Sequence, residues 1–568
     1  MKTLVSQLYG TEQQLRIWSK VEALQERYRD LSNRVSKRPS LSEADVVLIA
    51  YPDQVSEPGQ RPLMTLRNVL AQWAKRLVSA LHLLPIHPYS SDDGFSVVDF
   101  RTVNPEFGTW RDVEALAAEY QLMLDAVINH VSQQSAWFAA YKRNESPYNQ
   151  YFIEANDAFE VSQVYRARAT PLLTTIQTSV GERRVWTSFS HDQIDLNYAN
   201  PEVLLEMLDV LLSYVRHGAR WLRLDAAGLL WKESGTSCLH LPQTHAVIQL
   251  IRSVLDLSAP HVGIVPQING PWSENVPYLG DGHNEAQMIY HYALPVMVWH
   301  ALTFARSTEL HEWLSTLSLP SDDTYLYNFL ACHDGISLRP ARGLIAEPDL
   351  AQMLEAAVNN GGLINFRKDR TGQEVPYEVA ITYYDALNAK SLPADTAVAR
   401  FRIAHAILLS ISGVPAIYFQ SLLGARSWHE GFLKTGINRT LNRRKYQRQE
   451  LDILLTDTHF YHHRVYSDLA HLIAARRIEA AFHPNASQHM LKLDARILGI
   501  RRDRMDQSGS VYALHNLSSE TVTWSLRSQT AGAHVQDLLH ATSFSAQGHR
   551  FGGSLKPYQV RWLLELRT

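Results

Sequence analysis

Three observations predict an α/β fold built as a (β/α)8 TIM barrel. Eight short apolar runs recur along the chain, helical stretches alternate with them, and polar, reactive residues stand at the C-terminal ends of the runs. Strands alternating with helices require a parallel sheet, eight of them a closed barrel, and barrel enzymes carry their chemistry at the C-terminal strand ends.

The runs are 46–51 (VVLIAY), 81–86 (LHLLPI), 122–127 (LMLDAV), 221–226 (WLRLDA), 262–268 (VGIVPQI), 288–290 (MIY), 325–331 (YLYNFLA) and 414–419 (VPAIYF). Between them, 201–217 and 244–257 carry apolar residues at helical spacing. Asp92, Asn129, His130, Asp225, Gln267, His333 and Asp334 stand at or just beyond run ends.

Residues 1–45 read as a polar helical segment that packs against the main body. The barrel then runs over 46–130, 201–339 and 396–480. Residues 131–200 form an inserted domain after strand 3, because a structureless loop of that length does not fit a compact domain. A second insertion, 340–395, follows strand 7 and contains the Gly/Asn-rich NNGGLINF stretch. From 481 to 568 short alternating runs (VYALHNL, TVTWSL, YQVRWLLEL) predict a C-terminal β-sandwich.

The net charge of −3 exerts no pull towards nucleic acid or an anionic membrane. The two cysteines, Cys238 and Cys332, make no disulfide framework and suit a reducing compartment. The N-terminus lacks the apolar core of a signal peptide, and no run of about 18 apolar residues occurs. A cytoplasmic enzyme acting on small molecules is therefore expected, with no nucleic acid and no membrane as partners; the oligomeric state is not legible. No Gly-rich phosphate loop or dinucleotide fingerprint is present.

The strongest local signal is ARWLRLDAA, 219–227. Arg223 and Asp225 are two apart on a strand and share a face, so the cation keeps the carboxylate ionised and oriented. A structural Arg–Asp pair at a strand end reads equally well. The second signal is DAVINH, 125–130, and the third NFLACHD, 328–334. A His or Asp at a strand end can hold sugar hydroxyls, ligate a metal or simply pack. No third close ligand accompanies either pair, which disfavours metal.

In this order, the three motifs resemble glycoside hydrolase family 13, the α-amylase family, over nearly the whole chain from about residue 46. That family breaks glycosidic bonds with retention, using two carboxyl groups about 5–5.5 Å apart. The resemblance implies that Asp225 is the nucleophile, Arg223 its partner, Asp334 a carboxylate that stabilises the transition state, and His130 and His333 ligands of sugar hydroxyls. A narrower likeness, in PYSSDDGFSVVDFRTVNPEFG, VYRARATPLL, VWTSFSHDQIDLNY, LWKESGTSCLHLPQTH and TGINRTLNRRK, is to the sucrose-phosphorylase branch. It includes phosphorylases of sucrose, sucrose 6′-phosphate, glucosylglycerol and glucosylglycerate. By that similarity Asp92 and Arg439 grip the far hydroxyls of glucose and Phe95 stacks on its ring. Arg166 and Arg168 are candidates for phosphate, whose geometry a guanidinium matches, against a solvated surface pair. The implied chemistry requires no metal and no organic cofactor: Asp225 takes glucose from an α-glucoside, and phosphate releases it as α-glucose 1-phosphate. A hydrolase or transglucosidase is the rival within enzymes.

One position departs from the family. The fifth strand should end in a Glu that acts as general acid/base, and Gln267 stands there. An amide neither donates nor accepts a proton in that role, though its shape is nearly that of Glu. Three accounts are open: a chain altered to trap substrate, which the otherwise intact site favours; an inactive sugar-binding protein; or a substitute carboxylate, Glu274 or Glu285, both outside the strand end.

The acceptor pocket should come from the two insertions. Arg367, Lys368 and Arg370 would suit an acidic acceptor, which tips the choice slightly to glucosylglycerate. Trp231–Lys232–Glu233 reads either as an acceptor contact or as a helix lead-in. His459, His462 and His463 read as a solvated helix end, and Cys332, next to His333 on a strand, as a buried structural thiol.

Overall fold

The computed structural model describes residues 1–32, 41–156, 158–369 and 371–567. Eight parallel strands form the barrel: β1 Val47–Ala50, β2 Ala80–Leu83, β3 Gln121–Ala126, β4 Ala219–Leu224, β5 Gly263–Pro266, β6 Met288–Tyr290, β7 Tyr325–Phe329 and β8 Val414–Tyr418. They pair in the order β5-β4-β3-β2-β1-β8-β7-β6. The ring closes where the Gln287 N–H, just ahead of β6, donates to the Ile264 carbonyl of β5 (3.2 Å). Each strand falls on one of the eight apolar runs. Parallel strands covered on both faces need apolar residues throughout, which is why runs rather than alternation mark them.

Most strands stop short of their run. β4 ends at Leu224 and β5 at Pro266, so Asp225 and Gln267 are the first residues beyond their strands. β7 ends at Phe329, which leaves Cys332 and His333 on a loop and not on a strand. Trp221 of β4 and Gly263 of β5 are paired neighbours. A Cβ at 263 would lie 2.2 Å from the indole, so glycine is what lets that ring pack.

Helices α1 (Lys2–Tyr9) and α2 (Gln14–Arg27) lie outside the barrel against α3 (Pro201–Arg216) and α4 (Pro242–Ser258). Val5, Leu8, Ile17, Val21 and Leu24 form their buried face and belong to the main core. Arg27 and Lys20 bind Asp209 (2.8 Å) and Glu202 (2.7 Å) of α3 at the rim. Both α3 and α4 begin with proline, whose fixed φ suits the first helical turn. Asn200 caps α3 by accepting from the Glu202 N–H (3.1 Å).

Between β3 and α3 the chain forms a helix, Ala136–Lys142, a hairpin of Leu173–Thr178 with Gly181–Trp186, and a short pairing of His130–Ser132 with Gln193–Asp195. Between β7 and β8 it forms a helix, Glu347–Asn359, and a sheet in which Glu374–Ala380 runs antiparallel to Ile336–Ser337 and to Leu363–Lys368. Both sets of elements rise over the C-terminal end of the barrel and wall the site.

The C-terminal region is a six-stranded antiparallel sheet faced by the pair Val522–Arg527 and Arg550–Leu555. Alternate residues of the large sheet go two ways. Ile500, Val511, Ala513 and Trp562 join the barrel core, while Tyr512, Leu514 and Leu563 meet Val522, Trp524 and Phe551 of the facing pair. This period-two division accounts for a strand, Gly509–Asn516, that is buried on both faces.

Candidate active site

The end of β4 sets the centre of the site. The Asp225 N–H donates to the Ala126 carbonyl at the end of β3 (2.9 Å), and Ala226 turns with φ 50. Arg223 Nη1 donates to Asp225 Oδ1 (3.0 Å) and also pairs with Asp125 of β3, while its Nε donates to the Tyr290 hydroxyl (3.0 Å). His82 of β2 holds Asp125 in turn (2.9 Å). Four barrel strands thus fix one guanidinium beneath one carboxylate. Burial raises the Asp225 pKa above that of an ordinary aspartate, with Arg223 and then His130 pulling it back.

Gln267 stands across from it. Its N–H donates to the Leu224 carbonyl (2.9 Å), its Oε1 accepts from the Ala226 N–H (3.1 Å), and its Nε2 donates to the Tyr292 hydroxyl (2.9 Å). These contacts fix which end of the amide faces which partner. Glu274 and Glu285 are both engaged elsewhere. Burial would raise the Glu274 carboxyl, but His240 and Arg339, which bind it, hold it below the usual range, and Glu285 is buried against His245 (3.0 Å).

On the far side, His333 and Asp334 follow β7. Burial pushes the His333 pKa down to about 3, so the ring is neutral at working pH. Asp334 would be raised by burial, but Arg439, then His333 and Arg443, hold it well below the usual carboxylate range. Arg439 meets Asp334 at 2.7 Å and clasps Glu378 with two nitrogens (3.0 and 2.7 Å). It does not reach Asp92 in this arrangement. Arg443 does, at 3.2 Å, and it also binds Asp93 (2.7 Å) and the His333 carbonyl (2.9 Å). Asp92 and Asp93 both adopt left-handed backbone (φ 52 and 49), and Gly94 follows with φ 108, where a Cβ would lie 2.7 Å from Pro85. This tight turn delivers Asp92 to the cavity.

Phe95 stacks its ring on the His333 imidazole (4.7 Å, 11°), and its carbonyl meets His130 Nε2 (2.9 Å). Asp92, Phe95, His130, Asp225, Gln267, His333, Asp334 and Arg439 all line one open cavity of about 830 Å³. Of the two candidate phosphate arginines, Arg168 lines it, with its guanidinium over Phe189 (5.4 Å) and Tyr377 (5.2 Å). Arg166 lies off the cavity wall and turns to the Thr170 carbonyl.

Several neighbours were not singled out from sequence. Asp125 sits inside the quoted DAVINH segment, and its inward register on β3 was the available signal. Arg443 could not be told from Arg439, because Asn-Arg occurs twice, at 438–439 and 442–443. Gln193 comes from the short strand Gln193–Asp195, Arg339 opens a single turn of 3-10 helix, and Tyr292 and Tyr165 are brought in by loops. Lys232 starts no helix; its side chain is buried against Asp195 (2.7 Å) and Asn129 (3.0 Å), tying the first insertion to the barrel. His462 stacks on Tyr461 (4.0 Å) and is half-buried, so the histidines there are not one solvated group. The Cys332 thiol is buried, and burial pushes its pKa up. Arg370 lies outside the described residues. Away from the cavity, His300, Glu309 and Asp349 converge, but Arg306 already bridges the two carboxylates (2.6 and 2.7 Å). Among the described residues, no helix is long and apolar enough to cross a membrane.

Comparison with known proteins places this geometry in context. Residues 73–334 match the α-amylase catalytic domain family. The chain is 43% identical to the glucosylglycerate phosphorylase of Allomeiothermus silvanus, over 92% of each protein. It is 41% identical to the glucosylglycerate phosphorylase of Escherichia coli, again over 92% of each. Among solved structures, sucrose 6F-phosphate phosphorylase from Thermoanaerobacter thermosaccharolyticum superposes with a TM-score of 0.75 at 23% identity, covering 91% of this chain and all of that one.

Proposed function

The chain belongs to glycoside hydrolase family 13, the α-amylase family, within its sucrose-phosphorylase-like branch, and from that premise we propose that it transfers glucose between glycerate and phosphate through a covalent intermediate on Asp225. The observation that carries this reading is the cavity itself, where a carboxylate backed by Arg223 faces a second carboxylate, Asp334, with the guanidinium of Arg168 in the same wall. The similarity to two glucosylglycerate phosphorylases supports glycerate over fructose, fructose 6-phosphate or glycerol as acceptor.

In this reading Asp225 attacks the anomeric carbon, the glycosidic C–O bond breaks, and the acceptor oxygen leaves with a proton. A phosphate oxygen, held by Arg168, then attacks the same carbon and frees the carboxylate. Two inversions give α-glucose 1-phosphate. Asp334 lies opposite as an anion to stabilise the positive charge that develops on the sugar. Asp92, steadied by Arg443, and Arg439 hold the far hydroxyls, and His130 and His333 the nearer ones. The two buried, unbridged cysteines support action in the cytoplasm.

Gln267 divides these steps. An alkoxide leaving group needs a proton, which an amide cannot give, whereas phosphate leaves and attacks as an anion. The chain as it stands therefore exchanges glucose with phosphate and turns over glucosylglycerate poorly. Neither Glu274, locked as an ion between Arg339 and His240, nor the buried Glu285 is free to replace it.

Phosphate release from α-glucose 1-phosphate tests this, with glycerate, glycerol, fructose and fructose 6-phosphate as separate acceptors. The Gln267→Glu chain should release phosphate with glycerate on the order of 100–10,000 times faster than the chain as given. Release that depends on no acceptor would instead indicate a hydrolase, and no release from either chain a sugar-binding protein.

A further inference from the structure

Arg367 is a buried cation with little to answer its charge. It lies on the strand Leu363–Lys368, is only 8% exposed, and among the described residues no carboxylate pairs with it. Its Nη1 donates to the Lys368 carbonyl (3.2 Å), and its buried Nε has no hydrogen-bond partner among the described residues. Asp369, whose charge acts on it through space, spends its carboxylate on Thr371 and the Gln373 N–H. A buried guanidinium left in this state costs free energy unless something supplies the missing acceptor.

Its surroundings add positive charge. Arg367 and Arg339 both lie against the ring of Tyr165 (5.6 and 5.1 Å), and Arg342 acts on Arg367 as a further like charge. Against these three cations stands Glu274, which binds Arg339 and His240. Tyr165, Arg339 and His240 line the cavity that holds Asp225. Asn365, two residues from Arg367 on the same strand face, holds Glu378 (2.8 Å), which clasps Arg439 in the cavity wall. Arg367 therefore shares the strand face of Asn365 and stands just behind the cavity wall, against Tyr165 of the first insertion, whose ring lines the cavity.

We propose that Arg367 and Arg339, gathered on Tyr165, form the subsite for the carboxylate of a small hydroxy-acid acceptor. This rests on the phosphorylase reading and names the residues that choose its acceptor. A planar guanidinium matches a carboxylate with two parallel hydrogen bonds, and the shielded position strengthens both. Arg339 is already oriented by Glu274 and by the Asn269 carbonyl (2.8 Å), so it supplies a fixed partner, while Arg367 supplies the free donors. The Tyr165 ring between them offers an apolar surface for the acceptor's carbon chain. Inorganic phosphate, whose charge Arg168 meets, is assigned to a separate place.

The test uses the Gln267→Glu chain with Arg367→Gln and Arg367→Lys added. Arg367→Gln should raise the KM for glycerate about 10–100-fold, the loss of a charge-assisted hydrogen bond, and the KM for phosphate by less than about threefold. Arg367→Lys, which keeps the charge without the paired geometry, should fall between. An unchanged KM for glycerate in a variant that melts with its parent overturns the proposal. An equal rise for phosphate also overturns it and assigns the cluster to phosphate. If the parent releases no phosphate with glycerate, the functional reading fails. The subsite is then tested alone, by the rise in melting temperature that glycerate gives the chain as it stands. A rise that Arg367→Gln abolishes supports the subsite, and a rise that persists, or none, overturns it.

Discussion

Arg443 Nη1 lies 3.2 Å from Asp92 Oδ1, whereas Arg439, four residues earlier, is clasped by Glu378 and Asp334. The two arginines therefore do different work. Arg443→Gln should lower kcat/KM for every glucosyl donor about 10–100-fold, whatever the acceptor, because it loosens Asp92 and the His333 backbone together. Arg439→Gln should act through ionisation instead. Arg439 is the foremost charge that holds Asp334 down against burial, so its loss moves the acid limb of the pH–rate profile upwards. Matching pH profiles of the two variants, measured with α-glucose 1-phosphate in the Gln267→Glu chain, would refute this division.

Arg168 and Arg166 form a second contrast. Only the former stands in the cavity wall. Arg168→Gln should raise the KM for phosphate about 10–100-fold, and Arg166→Gln by less than about threefold. Initial rates of glucosylglycerate phosphorolysis against phosphate concentration, with both substitutions placed in the Gln267→Glu chain, decide it.

Asp225 predicts a trade of stability for reactivity. Its folded pKa is raised above the usual 3.8, chiefly by burial. A raised acid favours the fold while protonated, and that contribution is lost as pH rises through the folded value. At pH 7 the ionised carboxylate therefore weighs against the fold. Asp225→Asn should melt higher than the parent at neutral pH, and the gap should close as pH falls towards 3.8. Thermal unfolding of both chains across that range measures it; a gap that widens on acidification would contradict the assignment.

Much of the barrel was legible because its signal is local. A parallel strand buried on both faces must be apolar along its length, and all eight runs carry that requirement in consecutive residues, as LHLLPI does around β2. Asp225 was legible for the same reason: the Arg two residues before it shares its strand face. The β-rich C-terminal region likewise showed itself by alternation in VYALHNL and TVTWSL.

The rest depends on neighbours distant in sequence. Nothing near Arg439 or Arg443 says which one meets Asp92, since that choice is made by the left-handed turn at Asp92–Asp93 and by Glu378 from the second insertion. Nothing near Arg367 says that it is buried with no carboxylate paired to it among the described residues, or that Tyr165, some 200 residues away, packs against it. Residue type and short-range spacing by themselves determined the strands and singled out Asp225 beside Arg223; the nucleophile reading and the departure at position 267 came from the resemblance to a known family. Only the tertiary structure decided which arginine meets Asp92, which of Arg166 and Arg168 lines the cavity, and how deeply Arg367 is buried. A charge takes its role from the groups that approach it in space, and those approaches are set by the closing of the barrel and the folding of the two insertions over it.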